Sequence, residues 1–277
     1  MKSRYIYPSK DNSIKIIQIT DPHLFADENR ELLGINTQKS FNQVLKEIKA
    51  SDFNYELILA TGDLTQEDLS KKAYLRFCEG VKSLVKPVFW IPGNHDYQPD
   101  MYEVLNQKHG NIFPEKEILL GEHWQIILLD SQVAGSAYGE LGSDKLKWLK
   151  QRLAEQQDRF SLVVLHHHIM PTHSAWLDQH NLRDTSEFLE TINLFPNLRG
   201  VLYGHIHQAQ DLKLHHYKVM ATPSTCIQFK ADSNKFALDM VQPGWREITL
   251  HNDGRIETQV RRIQQKTFLP NMLSEGY

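Results

Sequence analysis

Cysteine is scarce in this chain of 277 residues: Cys78 and Cys226 are its only two. That excludes a disulfide framework, so apolar burial has to hold the fold. Both cysteines sit in apolar surroundings, as reduced buried thiols do, and a reducing compartment fits. Long hydrophobic runs are also missing. No stretch approaches the ~20 apolar residues of a membrane span. The opening MKSRYIYPSKDNSIKIIQIT is basic but has no uninterrupted apolar core of the signal-peptide kind. A cytoplasmic protein without a membrane partner is expected. Positive charge is not in excess either, since 31 Lys and Arg face 34 Asp and Glu for a formal charge of −3. Nucleic-acid binders carry a basic face, so none is expected as a partner. No linker rich in Pro, Gly or Ser, no repeat and no low-complexity tract breaks the chain, and residues 1–277 read as a single domain.

What is plentiful is histidine, with 14 residues, several of them clustered. The clusters follow short β-branched runs: KIIQIT before Asp21, LILAT before Gly62, VFWIP before Gly93, IILLD ending at Asp130, LVVL before His166 and GVLYG before His205. Such runs, bounded by turn residues, predict buried strands. Helical spacing lies between them. Phe41, Val44, Leu45 and Ile48 share one face behind a possible Thr37 cap, and Tyr74, Phe77, Cys78, Val81 and Leu84 repeat the pattern after Ser70. Leu146, Trp148, Leu149 and Leu153 suggest a third helix. From about residue 212 the pattern turns to short strands, with Asn252-Asp253-Gly254 as a hairpin signal. The expectation is an α/β fold in which the strand-rich end supplies a second sheet packed on the first.

Five polar clusters carry the candidate chemistry: TDPH with Asp21 and His23, GDLTQ with Asp63, GNHD with Asn94, His95 and Asp96, the triple histidine 166–168, and GHIHQ with His205 and His207. Singly each has a bland explanation, such as an Asx turn at Asp21 or a helix cap at Asp63. Together they place oxygen and imidazole donors, with no thiolate, after the carboxyl ends of successive strands, where open α/β sheets gather ligands. That donor set suits a hydrolytic site for divalent ions rather than a structural zinc site. The number of donors favours two ions, with Asp63 as a bridging carboxylate. In an extended chain His166 and His168 would face one way and His167 the other, and His205 and His207 would share one side.

In this order the motifs resemble those of the calcineurin-like metallophosphoesterases: Asp-x-His, Gly-Asp, Gly-Asn-His-Asp, a histidine, and Gly-His-x-His, from Asp21 to His207. The resemblance implies a two-sheet αββα sandwich with the metal site at the carboxyl ends of strands. It implies one metal on Asp21, His23, Asp63 and His207, and a second on Asp63, Asn94, His166 and His205. It makes His166 the ligand of the run, with His167 turned away. His95 would contact the phosphate and assist the leaving oxygen, with Asp96 orienting its imidazole, and the ligands His23, Asp63, Asn94, His166, His205 and His207 would face the substrate with it. The segments IQITDPHLF, LDSQVAGSAYGEL, AWLDQH, ATPSTCIQF and PGWR are similar to those of the bacterial cyclic-AMP phosphodiesterases of this superfamily. From the residues alone, Cys226, Ile227 and Phe229 of ATPSTCIQF read as a strand entering the second sheet.

The implied activity is hydrolysis of 3′,5′-cyclic AMP to 5′-AMP by a bridging hydroxide between two divalent ions, iron or manganese, lowering cellular cyclic AMP. Two such ions with Asp21, Asp63 and a hydroxide leave one positive charge, which a monoanionic cyclic diester cancels. The alternatives are broader hydrolysis of 2′,3′-cyclic nucleotides, other diesters or monoesters, and a non-catalytic binding module. The module's mark would be loss of ligands, and all seven ligand positions are present. The oligomeric state is open.

Overall fold

A computed structural model of the chain describes residues 4–66, 70–107, 110–274 and 276. Among these, two large sheets stack face to face. One runs in the order Tyr5–Tyr7, Glu117–Leu120, Trp124–Leu128, Phe160–Val164, Leu198–Tyr203, Tyr217–Ala221 and Gln210–Leu214. The other runs Ile256–Arg262, Gly244–His251, Ser13–Ile19, Leu57–Ala60, Val88–Trp90 and Ile112–Phe113. Four adjacent strands of each are mutually parallel, so within each sheet their carboxyl ends lie on one edge.

The strand period of two sets the layers. Ile14 and Ile16 with Leu57, Leu59 and Phe89 face the other sheet, where they meet Ile126, Leu128, Leu162, Val164 and Leu202. The alternate residues Ile17, Ile19, Ile58, Val88 and Trp90 face outward onto Phe41, Val44, Tyr74, Phe77 and Met101 of the helices Thr37–Ala50, Lys71–Lys82 and Gln98–Leu105. On the far side Val163, Val201 and Val219 pack on Leu149, Leu153, Phe188 and Ile192 of the helices Gly142–Glu155 and Thr185–Ile192. The result is the expected αββα sandwich, both faces of each sheet being covered as parallel strands require.

Two local expectations change. The strand-rich end does not form the second sheet by itself: Gln210–Leu214 and Tyr217–Ala221 extend one sheet and the hairpin Gly244–His251/Ile256–Arg262 edges the other. Pairing of Gly244–His251 with Ser13–Ile19 across the whole chain decides this, and no local pattern encodes it. The first long helix is capped by Asn36, whose side chain accepts from Lys39 N at 2.8 Å, and not by Thr37.

Candidate metal centre

The loops that leave the parallel strands are held in an unusual backbone conformation. Asp21, His23, Asp63, His205 and His207 all have positive φ, between 48° and 67°. Left-handed backbone at a non-glycine residue costs roughly 1–3 kcal/mol and persists only where surrounding bonds fix it. Here the loops ladder onto each other: Asp21 N donates to Gly62 O, His23 N to Asp63 O and Leu24 N to Leu64 O, each at 3.0 Å. The consequence is a correction to the extended-chain reading. His205 and His207 do not share a side, because His207 turns to Asp21 and His23 whereas His205 packs against His166 and His167.

One group of donors comprises Asp21, His23 and His207, all buried. His207 Nδ1 lies 3.0 Å from the carbonyl of Ile227, and a carbonyl only accepts, so Nδ1 carries the proton and Nε2 a lone pair. His23 Nδ1 is 2.6 Å from Gln66 Oε1, which assigns its Nε2 a lone pair in the same way. The two Nε2 atoms are 3.1 Å apart, His207 Nε2 is 3.2 Å from Asp21 Oδ1, and His23 Nε2 is 4.0 Å from Asp63 Oδ2. Among the described residues Asp21 Oδ1 is buried with no hydrogen-bond partner. Converging lone pairs with an unpartnered carboxylate oxygen repel one another unless a cation lies among them.

The second group repeats the logic. His166 Nδ1 donates to Thr61 O at 2.7 Å, and its Nε2 faces Asp63 Oδ2 and Asn94 Oδ1, each at 3.2 Å. Asp63 belongs to both groups, being within ligand reach of His23 and of His166. His205 lies beside His166, ring centroids 5.0 Å apart, with its Nε2 buried and unpartnered. The donor set fits divalent cations.

Charge states agree with that use, since ligands must be deprotonated. Burial would raise Asp21, but positive charge on its His207 and His166 sides outweighs it and holds the carboxyl below its usual range, so an anionic Asp21 is poised to face a cation. Asp63 is likewise held well below, burial being overcome by His166 and His95. Burial depresses His23 to about 3 and takes His205 well below the ordinary histidine value. His166 is the exception: although burial opposes it, the Asp63 carboxylate raises it to about 9. A proton on its Nε2 and a cation therefore compete for the same place.

His95 donates its backbone N–H to Asp63 Oδ1 at 2.8 Å, and its ring stands edge-on to His23 at 5.1 Å at the floor of an open cleft. Asp96, expected from sequence to orient the His95 imidazole, holds backbone instead. Its oxygens accept the backbone N–H groups of Leu64 at 3.1 Å, Thr65 at 3.2 Å and Gly93 at 2.8 Å, which ties the Asp63 loop to the Asn94 loop. Burial and the neighbouring Asp63 push its carboxyl up to about 7. Two motif glycines are explained by the same crowding. A Cβ on Gly93 would lie 2.2 Å from Asp63 Oδ1, and one on Gly204 would lie 2.1 Å from Thr20 Oγ1.

Sequence reasoning missed several contributors. His167, expected to turn away, is fully buried beside His166 and His205, with Nδ1 2.8 Å from Ser131 Oγ. The chain bends after Val164, so alternation does not apply there. The segment Ala221–Phe229 is no strand of either large sheet beyond its first residue. Instead Ser224 Oγ donates to Asp21 O at 2.7 Å, Ile227 O fixes the His207 tautomer, and Phe229 stacks on His207 at 4.2 Å with planes 10° apart. No short motif signals these roles. The cleft, of about 1430 Å³, is lined by Asn94, His95 and His205 on its floor and by Trp176, Phe229 and Phe236 among its walls.

A family model described as calcineurin-like phosphoesterase matches residues 14–209. Over its full length, and that of the relative, the chain is 57% identical to the 3′,5′-cyclic adenosine monophosphate phosphodiesterase CpdA of Haemophilus influenzae. It is 47% identical over 264 residues, 95% of each chain, to the protein of that name in Escherichia coli. A dimetal phosphatase from Danio rerio shares the fold with a TM-score of 0.65 at 12% identity, covering 92% of this chain and 100% of that one. The chain belongs to the calcineurin-like phosphoesterase family, and its sandwich is the fold of that family. Within the family it stands with relatives named as cyclic-AMP phosphodiesterases. Among the described residues no helix is long and apolar enough to cross a membrane.

Proposed function

We propose that the chain hydrolyses the 3′,5′-phosphodiester of cyclic AMP to 5′-AMP. One divalent ion would be held by Asp21, His23, Asp63 and His207, and another by Asp63, Asn94, His166 and His205. The observation that carries this reading is the opposition of lone pairs on His23 and His207, 3.1 Å apart beside a buried, unpartnered Asp21 oxygen. The names of the full-length relatives support the substrate. Bound there, two such ions would supply Lewis acidity, lowering the pKa of a water and neutralising charge on phosphoryl oxygens.

The chain's own residues would do the rest. Asp63 turns its Oδ2 toward both subsites, 4.0 Å from His23 Nε2 and 3.2 Å from His166 Nε2, while its Oδ1 accepts the N–H of His95, which holds it in place. His95, edge-on to His23 and facing the cleft, is placed to give a proton to the departing 3′-oxygen. Iron or manganese suits the imidazole and carboxylate donors. The reading includes action in the cytoplasm on a small-molecule partner alone, so that cellular cyclic AMP falls.

The test is metal analysis of protein purified without added salts, with cyclic AMP, 2′,3′-cyclic AMP and a simple monoester compared at matched concentrations. Two ions per chain and 5′-AMP as product are expected, with chelation abolishing turnover. If cyclic AMP is the poorest of the three in kcat/KM by a wide margin, the substrate reading fails while the family stands.

A further inference from the structure

Two stretches that supply no ligand meet in the cleft: Ala175–His180, carrying Trp176 and His180, and Ala221–Phe229, carrying Phe229. Trp176 stands edge-on to Phe229, centroids 5.0 Å apart and planes at 85°, and again to Phe236 at 5.1 Å and 70°. Since Phe229 stacks on His207, the rings form a continuous series leading from the candidate metal centre out along one wall. Trp90 and Trp124 are fully buried in the core. Trp176 and Phe236 differ, being only partly buried and lining the cleft.

The wall is also built to stay in place. Ser174 O accepts the N–H groups of Leu177 and Asp178 at 2.9 Å, and Ser174 Oγ accepts Ser233 N at 3.1 Å, joining the loop of Trp176 to that of Phe236. Asp178 Oδ1 in turn accepts both the N–H and the hydroxyl of Thr172 at 2.7 Å. A preorganised aromatic surface beside a phosphate site serves no purpose for an alkyl phosphodiester, which has no flat face. It suits a ligand that carries a π-system next to its phosphate.

Resting on the cyclic-nucleotide reading above, we infer that Trp176, with Phe236, is the platform on which the nucleobase of the substrate stacks, and that Trp176 determines specificity without taking part in bond cleavage. Stacking accepts any base but is stronger for the larger purines. The wall therefore favours cyclic AMP over cyclic CMP and over a diester without a base.

The test compares wild type, Trp176→Ala, Trp176→Phe and Phe236→Ala on cyclic AMP and on the base-less 3′,5′-cyclic phosphate of 1-deoxyribose, with metal content measured for each. For Trp176→Ala, KM for cyclic AMP should rise about 5- to 100-fold, the range of one base–aromatic contact. Its kcat should stay within about twofold, its metals should be retained, and its KM for the base-less diester should not move. Trp176→Phe should recover most of the loss, and Phe236→Ala should give the same pattern at smaller size should Trp176→Ala fold poorly. An unchanged KM for cyclic AMP, or an equal rise on both substrates, overturns the platform alone. A wild type that cleaves the base-less diester but not cyclic AMP overturns the cyclic-AMP reading and the platform with it.

Discussion

His23 Nε2 and His207 Nε2 lie 3.1 Å apart although 184 residues separate them in the chain. Each ring is locked by an acceptor on its other nitrogen, so neither nitrogen of the facing pair carries a proton to share. The fold thus holds a repulsive pair in a buried place, which a bound cation would relieve.

Asp63 lies within ligand reach of His23 and of His166. Asp63→Asn keeps the shape but replaces one anionic oxygen by an amide that donates. Metal content and turnover should fall together, turnover by at least about 100-fold, the upper range for disturbing even the supports of ligands. Elemental analysis alongside kinetics checks this. Two metals per chain with undiminished kcat would show that Asp63 bridges nothing.

The histidine run separates ligand from packing. His166→Ala should lose about one metal per chain, because His166 Nε2 faces both Asp63 and Asn94. His167→Ala should retain more metal but lower stability by ~1–3 kcal/mol, since it empties a buried site and leaves Ser131 Oγ without its 2.8 Å partner. Denaturant unfolding and metal analysis read the two effects separately. Equal metal loss in both variants would make His167 a ligand as well.

Asp96 accepts three backbone N–H groups from two loops. Asp96→Ala leaves these buried donors unsatisfied and should destabilise the protein by ~3 kcal/mol or more, with loss of metal because both loops carry ligands. Asp96→Asn should be milder, as one oxygen remains, yet its amide group would oppose Gly93 N–H. A shift in urea midpoint below that of an ordinary surface substitution would refute the tie.

The elevated His166 predicts the pH dependence of metal uptake. A cation must displace the proton from a group raised to about 9, so affinity at this subsite should increase about tenfold per pH unit from pH 6 to 8 and level off above about 9. His23, depressed to about 3, contributes no such slope over this range. Titration calorimetry with Mn²⁺ in buffers of differing ionisation heat should count close to one proton released at pH 7. In Asp63→Asn, the carboxylate that raises His166 is gone, and the release should shrink.

The sequence by itself determined the strands, the long helices and the residues that end up clustered as candidate donors, because these rest on short-range patterns. Apolar runs end where Asp21, Asp63, Asn94, His166 and His205 begin, and the hairpin at Asn252-Asp253-Gly254 forms where its turn residues stand. Only the tertiary structure decided how those side chains point. Left-handed backbone at Asp21, His23, Asp63, His205 and His207 defeats the alternation that sequence reasoning has to assume, and it exists because hydrogen bonds between distant loops hold it there. The same holds for the tautomers, set by the carbonyls of Thr61 and Ile227, and for Trp176 and Phe229, which meet on one wall of the cleft. Contacts between residues far apart in the chain leave no local signature, since their energies depend on neighbours that only folding supplies.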